Sequence, residues 1–247
     1  MEQTNDQQGI IYQKPVEIRF YDCDTTGRAR ISTLMRYISD IAVVDYAERG
    51  YDYQWLQDQN MVFLLSRVSV RIHEMPASDE TIIVYTWEYG TKGALFLRDF
   101  DIRRPDGTLL ASSATAWILV EPSTRKILRP SAFTGTLHCC PDKLPDCRPA
   151  DKVKLPQGMT LAGTRRVVYS DLDSNGHMNN ANYSNVAMDF LPREQQLRPM
   201  TDFMINYNHE AKLGEDIEIY TCVEQDRSFV EGICGGHSCF SCEICFG

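Results

Sequence analysis

Two acids, an amide and an imidazole alternate in Asp171-Leu-Asp-Ser-Asn-Gly-His-Met-Asn-Asn180, at Asp171, Asp173, Asn175 and His177. Carboxylates and imidazoles move protons in reactions that activate water, and an amide orients the reacting groups. Gly176 lets the backbone turn sharply before a helix-like run. Upstream, the β-branched and aromatic content of Arg165-Arg-Val-Val-Tyr169 reads as a strand. Polar groups at a strand-to-helix turn can meet the free N–H groups of the helix start, which stabilise negative charge. Two readings fit the stretch, an acid–base active site and a calcium loop.

The rest of the chain has to position this turn. Val16–Phe20 alternates as a strand and runs into Tyr21-Asp-Cys-Asp-Thr-Thr-Gly-Arg28. A helix follows with Ile31, Leu34, Met35, Ile38 and Ala42 on one face and Gly50 as its stop. Tyr51–Asn60 reads as a loop or short helix shielding a pocket. Strands are predicted over Val62–His73, Thr81–Tyr89, Gly93–Arg103 and Thr108–Glu121, the last two joined through Pro105-Asp-Gly107. Prolines at 122, 130, 141, 145, 149 and 156 make 122–163 a connector. The pattern then restarts: a strand at 165–169, the polar turn, a helix near Asn182–Phe190, and strands Asp202–His209, Asp216–Glu224, Ser228–Cys234 and His237–Phe246.

That restart is an internal repeat. Asp22–Arg28 lies over Asp171–His177 at an offset of 149, His73-Glu74 over His209-Glu210 at 136, and Tyr85-Thr86 over Tyr220-Thr221 at 135. Each half is one helix against an antiparallel sheet, too thin to bury its own faces, so two halves sharing a sheet are expected. The fold class is α+β, a pseudo-dimer in one chain, divided into 10–121, a linker 122–163, and 164–247. The halves differ chemically, with Thr26 in place of Asn175 and Arg28 in place of His177. Singly, Asp173 and Asn175 are ordinary turn formers and Glu210 an ordinary strand-end acid. Kept together in one copy only, they point to function.

Composition narrows the class. The 247 residues are 43% hydrophobic and 24% charged, which suits a globular chain, and the net charge of −9 argues against nucleic acid as the main partner. Met1–Gly9 is polar and carries no signal pattern, and no apolar run reaches a membrane span. Nine cysteines without a signal peptide indicate reduced thiols and a cytoplasmic location. Cys239-x-x-Cys-x-x-Cys245, near His237, invites a metal reading, but the run reads better as a terminal strand of buried thiols. Calcium also fits poorly. Asp171, Asp173, Asn175 and Gly176 suit an EF-hand loop, yet its twelfth position is Asn182 where a bidentate Glu is required, and the flank 165–169 reads as strand.

The chain resembles the acyl-acyl carrier protein (ACP) thioesterases of plant and bacterial type, built from two tandem hotdog domains. The resemblance covers about residues 10–247 and rests on Ile31-Ser-Thr-Leu-Met35, Arg67-Val-Ser-Val70, Thr86-Trp-Glu, Gly93 to Arg98-Asp99, Ala111-Ser-Ser-Ala-Thr-Ala-Trp117 and, most specifically, Asp171–Asn180. It implies a double hotdog fold with Asp173, Asn175, His177 and Glu210 as catalytic residues. Around Glu210, Tyr207-Asn-His-Glu-Ala211 departs from the family's Tyr-Arg-Arg-Glu-Cys. The resemblance further implies no cofactor and no metal, an acyl carrier protein as partner, and an acyl tunnel along the first-half helix and sheet, near Leu34, Ile38 and Phe63. It leaves homodimerisation open.

On that reading Glu210 or Asp173 activates a water, Asn175 orients it or bonds the carbonyl, and His177 protonates the leaving thiolate. N–H groups near Met178–Asn180 are oxyanion donors, and burial beside the tunnel is expected to raise the pKa of the carboxylate. A cysteine nucleophile has only Cys23, in the degenerate half. An acidic carrier protein meeting a chain of −9 needs local basic groups, for which Arg165, Arg166, Lys126, Arg129, Arg28, Arg30 and Arg36 are candidates. Two alternatives remain. Asp22-Cys-Asp24-Thr-Thr-Gly27 resembles the motif of 4-hydroxybenzoyl-CoA thioesterases, with Asp24 at the catalytic place, so the substrate is acyl-CoA on that reading. A non-catalytic acyl-binding protein is the other.

Overall fold

The computed structural model describes residues 9–247. The first half runs β1 (Ile11–Glu17), a 3-10 turn (Phe20–Asp22), α1 (Ile31–Glu48), α2 (Tyr53–Asp58), β2 (Val62–Ile72), β3 (Thr81–Lys92), β4 (Leu95–Arg103) and β5 (Leu109–Glu121). After β6 (Lys126–Leu128) and a 3-10 turn (Pro130–Ala132), the series repeats as β7 (Thr160–Arg166), a 3-10 turn (Tyr169–Asp171), α3 (Asn180–Asp189), α4 (Arg193–Gln196), β8 (Met200–Tyr207), β9 (Asp216–Val223), β10 (Arg227–Cys234) and β11 (His237–Phe246). β1 and β7, the two motif turns, and the starts of α1 and α3 are all related by the same 149-residue offset.

The strands join in one antiparallel sheet whose order is a palindrome, β1-β3-β4-β5-β2-β8-β11-β10-β9-β7, with β6 added to β5. The seam is β2 on β8, from Arg67 opposite Asn206 to Arg71 opposite Asp202. α1 and α3 pack together on one face. α1 buries Ile31, Leu34, Met35, Ile38, Ile41 and Ala42 against Val68, Val70, Phe100 and Ile102. A fully buried Leu or Ile of this kind contributes about 1.5–3 kcal/mol, so the helical stripe fixes α1 on the sheet. Gly50, at φ +85°, takes the left-handed conformation just beyond the C-cap. This is the double hotdog arrangement expected from the sequence, one helix held by each half of a shared sheet. Among the described residues no helix is long and apolar enough to cross a membrane.

The strands predicted at 16–20 and 165–169 both end early. β1 stops at Glu17 and β7 at Arg166. In each half an aspartate then draws the chain into a 3-10 turn: Asp22 Oδ2 accepts the Arg19 N–H at 3.1 Å and Asp171 Oδ2 accepts the Val168 N–H at 2.8 Å. The aromatic residues that suggested strand, Phe20 and Tyr169, point into solvent at 86% and 83% exposure. β7 also begins at Thr160, inside the stretch read as connector.

Residues 51–60 contain α2, capped by Asp52, whose side chain accepts the Trp55 N–H. Tyr51 and Trp55 pack with Tyr46, Phe63 and Phe96 around Phe133 of the connector. Beside this cluster the end of α1 is tied to the sheet by buried charge. Arg98 donates to Asp45 at 2.7 Å, Arg49 to Glu88 at 3.1 Å and Tyr46 to Glu88 at 2.7 Å. The connector then follows the sheet face opposite the helices, where Trp87 donates to the Lys143 carbonyl and Val153 N–H to Asn206.

Candidate active site

Asp171 sets the loop. Its two carboxylate oxygens both accept from Arg165 Nη2, at 2.8 and 2.9 Å, and its backbone carbonyl accepts the Asn179 N–H at 2.8 Å. A carboxylate with both oxygens on a guanidinium nitrogen in this way is a poor cation ligand. With a 3-10 turn leading in where an EF-hand has a helix, this removes the calcium reading. Asp173 continues the turn: its Oδ1 accepts the Asn175 N–H at 2.9 Å, its N–H donates to the His177 carbonyl at 2.9 Å, and Gly176 closes at φ +76°. The first-half Gly27 has the same φ of +76°. Only glycine takes that conformation without strain.

The second half of the loop pairs with the segment after β8. Met178 N–H donates to the Ala211 carbonyl at 3.0 Å, and His177 bridges to Lys212. That pairing sets His177 Nε2 at 3.2 Å from Glu210 Oε2, with the side chains 29% and 40% exposed. Ala211 is held from the other side by the Tyr183 hydroxyl, which accepts its N–H at 3.0 Å. The carboxylate expected to be buried beside a tunnel is therefore half in solvent.

Of the four residues singled out from the sequence, the structure brings His177 and Glu210 together. Asp173 spends its carboxylate on the turn, and the side chain of Asn175 stands exposed at the loop tip. The oxyanion donors also narrow, because the N–H groups of Met178 and Asn179 already have acceptors within the fold. Among the described residues the N–H of Asn180, first in α3, remains free. Sequence reasoning missed Arg165 as the clamp on Asp171, though the aspartate kept at 22 and 171 in both halves was a signal that this position is structural. In the first half Asp22 is instead held by Arg36 at 2.9 Å.

Other expectations change. Leu34 and Ile38 are fully buried in the core, and Phe63 belongs to the aromatic cluster. A cavity of about 850 Å³ lies beside the first-half loop, lined by Asp24, Arg28, Arg30 and residues of α3. Burial pushes the Cys23 thiol up, with Asp22 and Asp24 adding to the effect, so it is not a ready nucleophile. Cys239 and Cys242 are buried on β11, and burial pushes Cys239 up to about 12. Among the described residues no group of three or more His, Cys, Asp or Glu side chains is placed to hold a metal.

Comparison with known proteins gives this site a family. Residues 9–131 match the family model of the acyl-ACP thioesterase N-terminal domain and residues 160–236 that of the C-terminal domain. A chloroplastic acyl-[acyl-carrier-protein] hydrolase of Cuphea viscosissima is 22% identical over 240 residues, 88% of this chain and 56% of its own. A chloroplastic palmitoyl-acyl carrier protein thioesterase of Arabidopsis thaliana is also 22% identical, with the same coverage. The chain thus spans about half the length of these curated relatives. The crystal structure of an acyl-ACP thioesterase from Bacteroides thetaiotaomicron superimposes with a TM-score of 0.87 at 23% identity, covering 96% of this chain and 98% of that one. The 12:0-ACP thioesterase of Umbellularia californica gives 0.78 at 17% identity, over 96% and 97%. Matched by family models in both halves and sharing the double hotdog fold, the chain belongs to the acyl-ACP thioesterase family.

Proposed function

We propose that the chain hydrolyses the thioester of a fatty acyl chain carried on acyl carrier protein, releasing the free fatty acid. The observation that carries this is the His177–Glu210 pair, 3.2 Å apart on the half that kept its acid–base groups. Glu210 holds a water and takes its proton as the oxygen attacks the thioester carbonyl carbon. The Asn180 N–H meets the developing oxyanion at the helix start. As the C–S bond breaks, His177 hands a proton to the leaving sulfur, so the products are a carboxylic acid and a thiol. Asp173 shapes the loop, and Asn175, exposed at its tip, is placed to meet the incoming substrate. In this division of labour residues 164–247 supply the chemistry and residues 10–121 the partner half.

The acyl-CoA reading centred on Asp24 has less support. Asp24 Oδ1 is engaged by the N–H and hydroxyl of Thr26 at 2.7 and 2.6 Å, and Arg28 stands where an imidazole is needed. The test is a hydrolysis panel across acyl-ACP chain lengths with matched acyl-CoA controls, run with a chelator present. Hydrolysis of acyl-ACP under those conditions is expected. No turnover of any acyl-ACP, or activity lost to the chelator and restored by zinc or calcium, overturns the reading.

A further inference from the structure

The cavity of about 850 Å³ lies between the two halves, with the first-half loop on one side and residues of the second half on the other. The first-half loop forms one wall and α3 another, with residues 193–200 alongside. Its volume falls in the range of small-molecule sites. The first-half loop has no imidazole where His177 stands in the second half. The imidazole on the cavity wall, His73, lies 3.1 Å from Asp146, and the other basic groups lining the cavity are guanidiniums.

Most charges around the cavity are already matched. Glu74 receives both Arg28 at 3.0 Å and Arg104 at 2.9 Å, and Asp171 is taken by Arg165. Two arginines are left over. Arg30 donates one N–H to the Tyr21 carbonyl at 2.8 Å, and Arg193 one to the Gln196 amide oxygen at 3.4 Å. Among the described residues neither pairs with a carboxylate, so most of their donors are uncommitted. Of the acids that remain, Asp24 is turned onto Thr26, and burial pushes the Asp189 carboxyl up against the pull of Arg165. The same cavity has an apolar side made by Ile72, Val186, Leu197 and Met200.

A permanent cation selects a permanent anion, and an apolar wall selects an aliphatic chain. We propose that this pocket is a second, non-hydrolytic site that binds an aliphatic carboxylate, with the head group on Arg30 and Arg193 and the chain along the apolar wall. If the His177 site releases fatty acids, as the function proposed above holds, the pocket takes that same class of molecule and lets product act back on the chain. The site itself rests on the cavity and its arginines alone.

Calorimetric titration of the full chain with octanoate tests this, with 1-octanol as the uncharged control. Octanoate is expected to bind the wild type and His177→Ala equally, and 1-octanol at least about tenfold more weakly. Arg193→Ala, on an exposed position that leaves the fold alone, and Arg30→Ala should each weaken octanoate by roughly tenfold. Asn185→Trp, which fills the cavity from α3, should abolish binding. Equal binding of octanoate and octanol, unchanged affinity in both arginine variants, or loss of binding in His177→Ala alone each overturns the proposal. Binding of pantetheine phosphate with none of octanoate overturns the ligand class. Acyl-ACP turnover is measured separately on the same proteins. Octanoate binding without turnover would sink the hydrolase reading and leave this site standing.

Discussion

His177 Nε2 stands 3.2 Å from Glu210 Oε2, and the residues at the same two places in the first half, Arg28 and Glu74, stand 3.0 Å apart. Both halves have kept a basic side chain against a carboxylate where the motif loop meets the segment after the central strand. What differs is the proton. An imidazole gains and loses one near neutral pH, whereas a guanidinium stays charged.

His177→Arg should therefore keep the contact and the fold and lose turnover. Removal of one acid–base group typically costs about a hundredfold to ten-thousandfold, and Glu210→Gln and His177→Ala should fall in that range on a good acyl-ACP. Because the two side chains are partly exposed, the melting temperature should stay near that of the wild type. Full activity in Glu210→Gln would pass the water-activating role to Asp173.

Asp171→Asn should act on stability first. It removes the ion pair with Arg165 Nη2 and weakens the acceptor of the Val168 N–H. Arg165 is about a third exposed, which softens the loss to roughly 1–3 kcal/mol. Urea denaturation of Asp171→Asn, Arg165→Ala and the double variant measures it, with a coupling of about 0.5–3 kcal/mol expected between the two sites. Strict additivity would show that this ion pair does not hold the loop.

Docking of an acidic carrier protein should fall to Lys126 and Arg129. Of the basic groups read as candidates, Arg165, Arg36 and Arg28 are spent on Asp171, Asp22 and Glu74. Lys126 and Arg129 are exposed and, among the described residues, free of carboxylate partners. Reversing both charges should raise KM for acyl-ACP several-fold, leave a small thioester unaffected and flatten the salt dependence. An equal effect on both substrates would place these residues elsewhere in the reaction.

The repeat, the α1 stripe and the strand series were legible because periodicity and offset follow from backbone geometry. The ends of β1 and β7 were not, since Phe20 and Tyr169 have strand-like side chains and only the hydrogen bonds to Asp22 and Asp171 turn the chain. The loop of the site was visible in residue types. The role of each carboxylate was not, because Asp171, Asp173 and Glu210 differ by partners, one on Arg165, one on a backbone N–H and one on His177. Partners distant in sequence leave no local pattern. For the same reason the guanidiniums beside the cavity between the halves could not be told from solvated surface charge.

Asp99 should make stability fall as pH rises. It is buried on β4, and burial, with Asp101 next to it, pushes its carboxyl up from 3.8 to about 7 against the pull of Lys143. A folded pKa above the unfolded one adds stability below about pH 4 that is lost as pH rises through about 7. Asp99→Asn should therefore gain on the wild type with rising pH and be more stable at pH 8 by on the order of 1 kcal/mol or more. Urea midpoints of both proteins at pH 5 and pH 8 test this, and an identical difference at the two values would refute it.

The seam between β2 and β8 has an evolutionary consequence. Were the halves separate identical subunits, every substitution would appear on both sides of that seam, and a change useful in one loop would be imposed on the other. Tethering by the connector replaces a bimolecular encounter with an intramolecular one at high effective concentration. It also lets each loop mutate alone. The arginine at 28 and the histidine at 177 can then coexist in one molecule, and the assembly no longer depends on protein concentration.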